Sequence, residues 1–522
     1  MRLGRTLALL GVGLLALALG PCVLLVALGA LAFPRLRHWL RPTRRAALAL
    51  LAALTTVVGV VVVVPDCWLP IPPGTGALVT PGYVGRPAFA RPVRVDLPIP
   101  PGLADPAPDA LAAPLGESPR VDTAWYGREQ CAPAAVGRRG RLVALCTGRR
   151  GSALRVIDPD TMHPLASKAL PALRSVADLP PGTGDVCRTG AFYLDDRDRA
   201  VVATADRRLL VVATADAEGD ADLTTAASYD VSRQVPSGDC VVALVPDWGG
   251  RIWFATARGR VGAVDPRTGG AQELDLEEAV ANPLAVAPDG VYAVTTDALY
   301  RLRAGHRRPL VAWRASYDRG TRTKPGRLTQ GTGSAPALLP GGLVALTDNA
   351  EPRMHVVVRR RSDGAKVCER AVFGADEGAT ESDLVVVGDG VVVTDNHGYG
   401  GLFSTALGRV TEPGVARVDV RGGACSPAWT SDVVAAGAGP RLSPATGLLY
   451  ATTKRRSWWG AAAWYLSAID ARTGRTVFSV RTGLGAEYDS GRAAPVLGRD
   501  GAVYVPTVAG LVRVRDRVPG QG

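Results

Sequence analysis

The chain has 522 residues, 47% hydrophobic and 21% charged, a balance that suits a folded protein and excludes a disordered one. Its formal charge is +12, but residues 1–64 hold seven Arg and no Asp or Glu, so the remainder carries 53 basic against 48 acidic residues. Only Lys168, Lys324, Lys366 and Lys454 are lysines, and no dense basic stripe with interleaved aromatics occurs, which argues against a nucleic-acid partner.

Two apolar runs open the chain. The first, 6–33, is interrupted only by Pro21 and scattered Gly; the second, 46–64, has no charged residue and ends at Pro65. A membrane-spanning helix needs roughly 20 apolar residues to cross a ~30 Å core, so both runs are expected to span. The segment between them, 34–45, carries five Arg and Trp39. The positive-inside rule puts that loop in the cytoplasm, which places the N-terminus and everything after Val64 outside. A cleaved signal peptide is the alternative, but no small-residue cleavage site is followed by polar sequence.

Residues 65–117 form a linker, with thirteen Pro between 65 and 115. Such composition favours extended geometry and predicts a semi-rigid stalk.

From about Ser118 to Asp516 short β-rich runs alternate with Gly, Asp and Pro turns. Gly250-Arg-Ile-Trp-Phe-Ala-Thr-Ala is followed by Gly259-Arg-Val-Gly-Ala-Val-Asp-Pro-Arg-Thr-Gly269, and Gly447-Leu-Leu-Tyr-Ala-Thr-Thr by Tyr465-Leu-Ser-Ala-Ile-Asp-Ala-Arg-Thr-Gly474. In the Asp-x-x-Thr-Gly turns the Asp caps and the Gly accepts positive φ. Related units begin near residues 136, 195, 249, 287, 340, 388, 443 and 497. A period of about 40–50 residues with four strands per unit predicts an all-β fold, an eight-bladed β-propeller, with seven blades as the alternative. The last unit lacks an outer strand, and 120–126 is expected to supply it and close the ring; 517–522 is a tail.

Cys22 lies in the first apolar run and Cys67 just beyond the second; Cys131, Cys146, Cys187, Cys240, Cys368 and Cys425 lie in the repeats. Six cysteines in an extracytoplasmic domain suggest disulfides, and no C-x-x-C points to zinc. Fifteen pairings exist. Position within the repeat favours Cys131–Cys146, Cys187–Cys240 and Cys368–Cys425; buried reduced thiols are the other reading.

The units at Ala263-Val-Asp-Pro-Arg-Thr-Gly269 and Ala468-Ile-Asp-Ala-Arg-Thr-Gly474 resemble the repeat of quinoprotein-like (PQQ-type) propellers. The Trp that follows that repeat is replaced by Gly270-Ala-Gln-Glu273 and Arg475-Thr-Val-Phe478, and a vicinal cysteine pair is missing. The resemblance therefore implies the fold and does not carry PQQ with it. Residues 325–516 are similar to a group of secreted or membrane-tethered propellers without an assigned reaction, through Gly331-Thr-Gly-Ser-Ala-Pro, Thr347-Asp-Asn-Ala-Glu-Pro and Thr411-Glu-Pro-Gly-Val-Ala-Arg-Val-Asp. That likeness includes cysteines at the places of Cys368 and Cys425. Its Glu-Asn-Asn-Tyr-Gly-Tyr pattern stands here as Asp395-Asn-His-Gly-Tyr-Gly400.

The Thr-Asp-Asn triplet occurs twice, at 347–349 and 394–396, in the same phase of adjacent units. Asp348, Asn349, Asp395 and Asn396, with Glu351, Glu381, His397 and Tyr399, are candidates for a rim site that binds a polar small molecule or a divalent cation, Ca²⁺ by its oxygen ligands. The competing reading is strand-end turn chemistry, in which Asp and Asn bond their own backbone. No H-E-x-x-H or G-x-S-x-G motif occurs. The expected function is a membrane-anchored extracytoplasmic binding or scaffolding module, whose partners are the lipid bilayer and a protein or small-molecule ligand. A metal-dependent hydrolase of lactonase type, or a quinone-dependent enzyme, is the alternative, and fold does not choose between them.

Overall fold

Strand runs such as Ile252–Thr256 are buried along their whole length, whereas the fourth strand of the same unit, Ala271–Asp275, is half-exposed. That gradient is what radial stacking of sheets requires, because middle strands are covered on both faces. The computed structural model describes residues 2–40, 48–49, 51–53, 55–56, 59, 64–95, 99–104, 112–127, 129–148, 151–171, 187, 190–401, 403–435 and 437–517. It contains eight antiparallel blades: 130–170, 192–230, 241–275, 285–316, 337–372, 385–431, 441–484 and 496–516. We letter the strands A to D in each blade. The A strands of neighbouring blades touch all the way round, including blade 8 against blade 1, so the ring is closed.

Closure comes from the expected place. Strand β2 (Pro119–Trp125) is the outer strand of blade 8 and pairs with Gly510–Asp516, from Pro119 opposite Asp516 to Trp125 opposite Gly510. Its Asp122 meets buried Arg513 at 2.6 Å. Another added strand, β1 (Tyr83–Gly85), lies on the outside of blade 7 and pairs with Phe478 to Val480.

The D–A connectors and B–C loops share one face, called upper here; the A–B and C–D turns share the lower face. The C–D turns follow sequence expectation. Asp265 Oδ1 accepts from the Arg267 amide at 3.0 Å, and Gly269, at φ 71°, donates to the Asp265 carbonyl at 2.8 Å. Inter-blade docking, by contrast, uses side chains that the repeat pattern hides. Trp313 and Trp429, on D strands, donate Nε1 to Arg361 O and Ala471 O in the C–D turns of the next blades, at 2.9 and 3.2 Å. Arg417 reaches Ala471 O in the same way, at 2.8 Å. So Trp docking does occur, between blades 4 and 5 and between 6 and 7.

All three favoured disulfides are present: Cys131–Cys146 within blade 1, Cys187–Cys240 between the starts of blades 2 and 3, and Cys368–Cys425 between the D strands of blades 5 and 6. Cys22 and Cys67 are free.

Two expectations about the N-terminal quarter change. The run 6–33 is not one helix. It comprises α1 (Arg2–Leu19) and α2 (Cys22–Ala30), followed by α3 (Pro34–Leu40) inside the expected loop 34–45. Pro21 has no N–H for the Leu17 carbonyl, and Gly20 stands at φ 127°, so the helical ladder breaks here. The Pro-rich segment and blade 7 take up the freed groups. Leu17 O accepts from Gly76 at 2.8 Å, Ala18 O from Leu78 at 3.0 Å, and the Cys22 amide donates to Trp459 O at 3.4 Å. A Cβ on Gly20 would lie 2.4 Å from Trp459 O. At the far end, the Arg5 guanidinium sits 5.9 Å from the Trp39 ring, so α1 and α2–α3 form a hairpin. Among the described residues, no helix is long and apolar enough to cross a membrane. Most of the second run, 46–64, and residues 518–522 lie outside the described residues.

The linker does not stand free as a stalk. Arg91 and Val93 donate to Thr446 O and Pro444 O of blade 7, Ala104 to Leu194 O of blade 2, and Leu115 and Gly116 to Asp516 of blade 8. Arg91, Val93, Ala104, Leu115 and Gly116 thus fasten the later part of the Pro-rich segment to the lower side of blades 7, 2 and 8.

Candidate functional site

The upper face of blades 5 and 6 is built from two B–C loops, 348–353 and 395–414, and two long connectors, 317–336 and 373–384. Asp348 and Asp395 each follow the last residue of a B strand, so they occupy equivalent places. Their surroundings differ. Asp348 accepts from the His355 amide at 2.6 Å and faces His355 Nδ1 at 2.9 Å. That bond raises the His355 pKa, against the opposing effect of partial burial. The pair therefore staples its own hairpin.

Asn349 Nδ2 donates to Arg319 O and Arg322 O at 2.9 and 3.0 Å, fastening the connector over blade 5. Glu351 completes the clasp with Thr321 Oγ1 at 2.6 Å and Arg322 Nε at 2.9 Å. Lys324, buried, donates Nζ to Ala350 O at 2.6 Å, and burial lowers its pKa.

In blade 6 the same logic recurs with other partners. Asn396 Oδ1 accepts from the Glu381 amide at 2.8 Å and Ser382 Oγ at 2.9 Å. Glu381 Oε2 lies 2.8 Å from Nε of Arg327, whose side chain is wholly buried. Burial pushes the Glu381 pKa up, while Arg327 and Arg492 pull it down. Tyr399 donates to Asp489 Oδ1 at 3.0 Å, and Thr405 Oγ1 to Asp489 Oδ2 at 3.1 Å, which links blade 6 to the connector of blade 8. Lys454 donates to Thr405 O and lies 4.9 Å from the Trp464 ring; burial pulls its amine down to about 8.

Among the described residues Asp395 has no such cation. Its Oδ1 accepts from the Ala379 and His397 amides at 3.1 and 2.9 Å. Burial pushes the carboxyl up to about 7, and nearby Glu412 and Glu377 add to the shift. It lines a cavity of about 450 Å³ between blades 5 and 6, shared with Glu377, Glu412, Asp432, Arg370 and Arg417. His397 stands beside it with Nδ1 buried and unbonded among the described residues, and burial lowers its pKa.

All eight candidate residues therefore lie on one face, but they do not converge on one point. Six of them (Asp348, Asn349, Glu351, Glu381, Asn396 and Tyr399) fasten loops and connectors. Among the described residues, no group of three or more His, Cys, Asp or Glu side chains is placed to share a metal ion. His355, Arg327, Arg492, Asp489, Lys324, Lys454, Glu377 and Glu412 were missed by sequence reasoning. A usable signal existed for two of them: lysine is rare here, and Lys324 and Lys454 are both buried.

No family model matches the chain. An uncharacterized protein of Archaeoglobus fulgidus is 30% identical over 323 residues, 54% of this chain; the chain spans 62% of that relative's length. Among solved structures, quinohemoprotein alcohol dehydrogenase from Comamonas testosteroni matches at 12% identity and TM-score 0.49, covering 76% of this chain and 77% of that one. BamB from Moraxella catarrhalis matches at 15% identity and TM-score 0.37, covering 62% and 93%. At such identities the likeness is one of fold alone.

Proposed function

We propose that this chain is a membrane-tethered, extracytoplasmic binding module, which takes a polar, cation-bearing ligand at the cavity between blades 5 and 6. The observation that carries the tether is the docked break at Gly20–Pro21. Leu7, Leu9, Leu10, Leu14, Val26 and Leu28 all remain exposed on helices that are themselves fastened to the propeller. A helix that is apolar on all sides needs an apolar surrounding. The hairpin sets Arg5 beside α3, which carries Arg35 and Arg37, and the positive-inside rule then puts this end of the hairpin on the cytoplasmic side, N-terminus included, in place of the outside N-terminus expected from one continuous span. Three disulfides support an oxidising compartment for the propeller.

The ligand class follows from the cavity lining, in which four carboxyl groups face two Arg, and Arg417 is already paired with Asp419 at 2.7 Å. The full chain is expected to stay with membranes after an alkaline carbonate wash; recovery in the soluble fraction would refute the tether. Spermidine serves as a probe of the cavity. It should raise the melting temperature of the full chain, and Asp395→Asn should remove most of that shift.

A second reading, hydrolysis, is favoured by one observation: a carboxyl held near 7 beside other carboxyl groups is suited to general acid–base work. Turnover of an ester, lactone or glycoside that disappears in Asp395→Asn would support it.

A further inference from the structure

We propose that the upper rim of blades 6 and 7, around the Gly20–Pro21 turn, is seated on the bilayer surface, with anionic phospholipid headgroups as its partner. This rests on the tether reading and adds to it the face of the propeller that meets the lipid.

Large apolar side chains crowd this rim without cover. Phe403 is 89% exposed, Leu407 56%, Trp458 87%, Trp459 49% and Leu78 79%. They sit on three loops that are bonded together. Ser457 donates its amide to Gly408 O at 3.1 Å, which joins the blade 6 loop to the blade 7 loop. Trp459 O accepts from Cys22, and Leu78 donates to Ala18 O, which joins both to the helical hairpin. A Cβ on Gly460 would lie 3.0 Å from Pro21, so the approach is close. The patch therefore surrounds the point at which the apolar helices leave the propeller. A surface continuous with membrane-embedded helices shares their solvent.

The chemistry of the rim fits the headgroup layer. Trp rings favour that zone, with one side apolar and the other wet, and Phe403 and Leu407 supply apolar groups that insert beside them. Arg409, Arg455 and Arg456 are exposed on the same loops, and none is ion-paired among the described residues. Arg455 also lies 5.1 Å from the Tyr465 ring, which holds it near the patch. Basic side chains beside aromatic ones at a membrane surface attract anionic lipid. The opposite face is unsuited, because Arg91, Val93, Ala104, Leu115 and Gly116 of the Pro-rich segment are bonded to it.

The test uses the full chain in nanodiscs that contain anionic phospholipid and a phospholipid with a photoactivatable group near its headgroup. Adducts are mapped by peptide mass spectrometry. Adducts are expected on 403–409 and 455–459 as well as on the helices of 6–33. A Phe403→Ser, Trp458→Ser variant, both exposed positions, should lose at least fivefold of the loop adducts and keep the helix adducts and the melting temperature. Adducts confined to the helices would overturn the seating and leave the tether intact. Adducts nowhere on the chain would overturn the tether itself. An equal loop yield in wholly zwitterionic nanodiscs would overturn the choice of anionic headgroups.

Discussion

Asp348 and Asp395 show how one sequence motif yields two chemical situations. Both follow Thr at the end of a B strand, but only Asp348 has a histidine opposite. The difference has a consequence for stability against pH. The folded Asp395 carboxyl stands near 7, above its ordinary 3.8. A raised acid favours the folded state fully below the unfolded value and loses that contribution as pH rises through the folded one. Asp395→Asn should therefore change little at pH 3.5 and stabilise the protein at pH 8, by up to about 4 kcal/mol at about 1.4 kcal/mol per unit. Denaturant midpoints at the two pH values check this. The Arg327–Glu381 pair makes the opposite case. Arg327→Ala should cost about 3–5 kcal/mol, since it strands a buried carboxylate, and adding Glu381→Gln should recover part of the loss in a double-mutant cycle. These partnerships were not legible in the sequence. The Thr-Asp-Asn triplets located the face, but nothing in their spacing says that Arg327, from the preceding connector, would reach Glu381.

At the scale of elements, periodicity was the strongest signal. Eight recurring units gave eight blades, and the missing outer strand of the last was found in 119–125. Deleting that strand should lower the melting temperature by several degrees and broaden the transition, because blade 8 would lose its covering strand and the Asp122–Arg513 pair. The disulfides were legible from repeat phase, and they should not be equal. Cys368 and Cys425 are 57 residues apart, Cys131 and Cys146 only 15. In the loop-entropy account, replacing the first pair by Ser costs about 1 kcal/mol more than replacing the second. Equal midpoints would count against that account here. The helical break and the bound linker were hidden for different reasons. Apolarity sums over a run and passes smoothly across Gly20–Pro21, although that dipeptide is a break signal in its own right. Proline content, in turn, reports an extended backbone and is silent about what the backbone leans on.

For the whole molecule, the propeller is an oriented body. Its lower side holds Arg91, Val93, Ala104 and Leu115 of the Pro-rich segment, and its upper rim carries the helical hairpin, so the two faces are not equivalent. The three disulfides point to an oxidising compartment for the propeller, and the proposed tether would hold it there, outside the cytoplasm. The most direct measurement is a pair of reporter fusions after Gly522: a phosphatase that is active only outside the cytoplasm, and a fluorescent protein that folds only inside it. An active phosphatase and a dark fluorescent fusion are expected. A bright fluorescent fusion with an inactive phosphatase would contradict a propeller outside the cytoplasm.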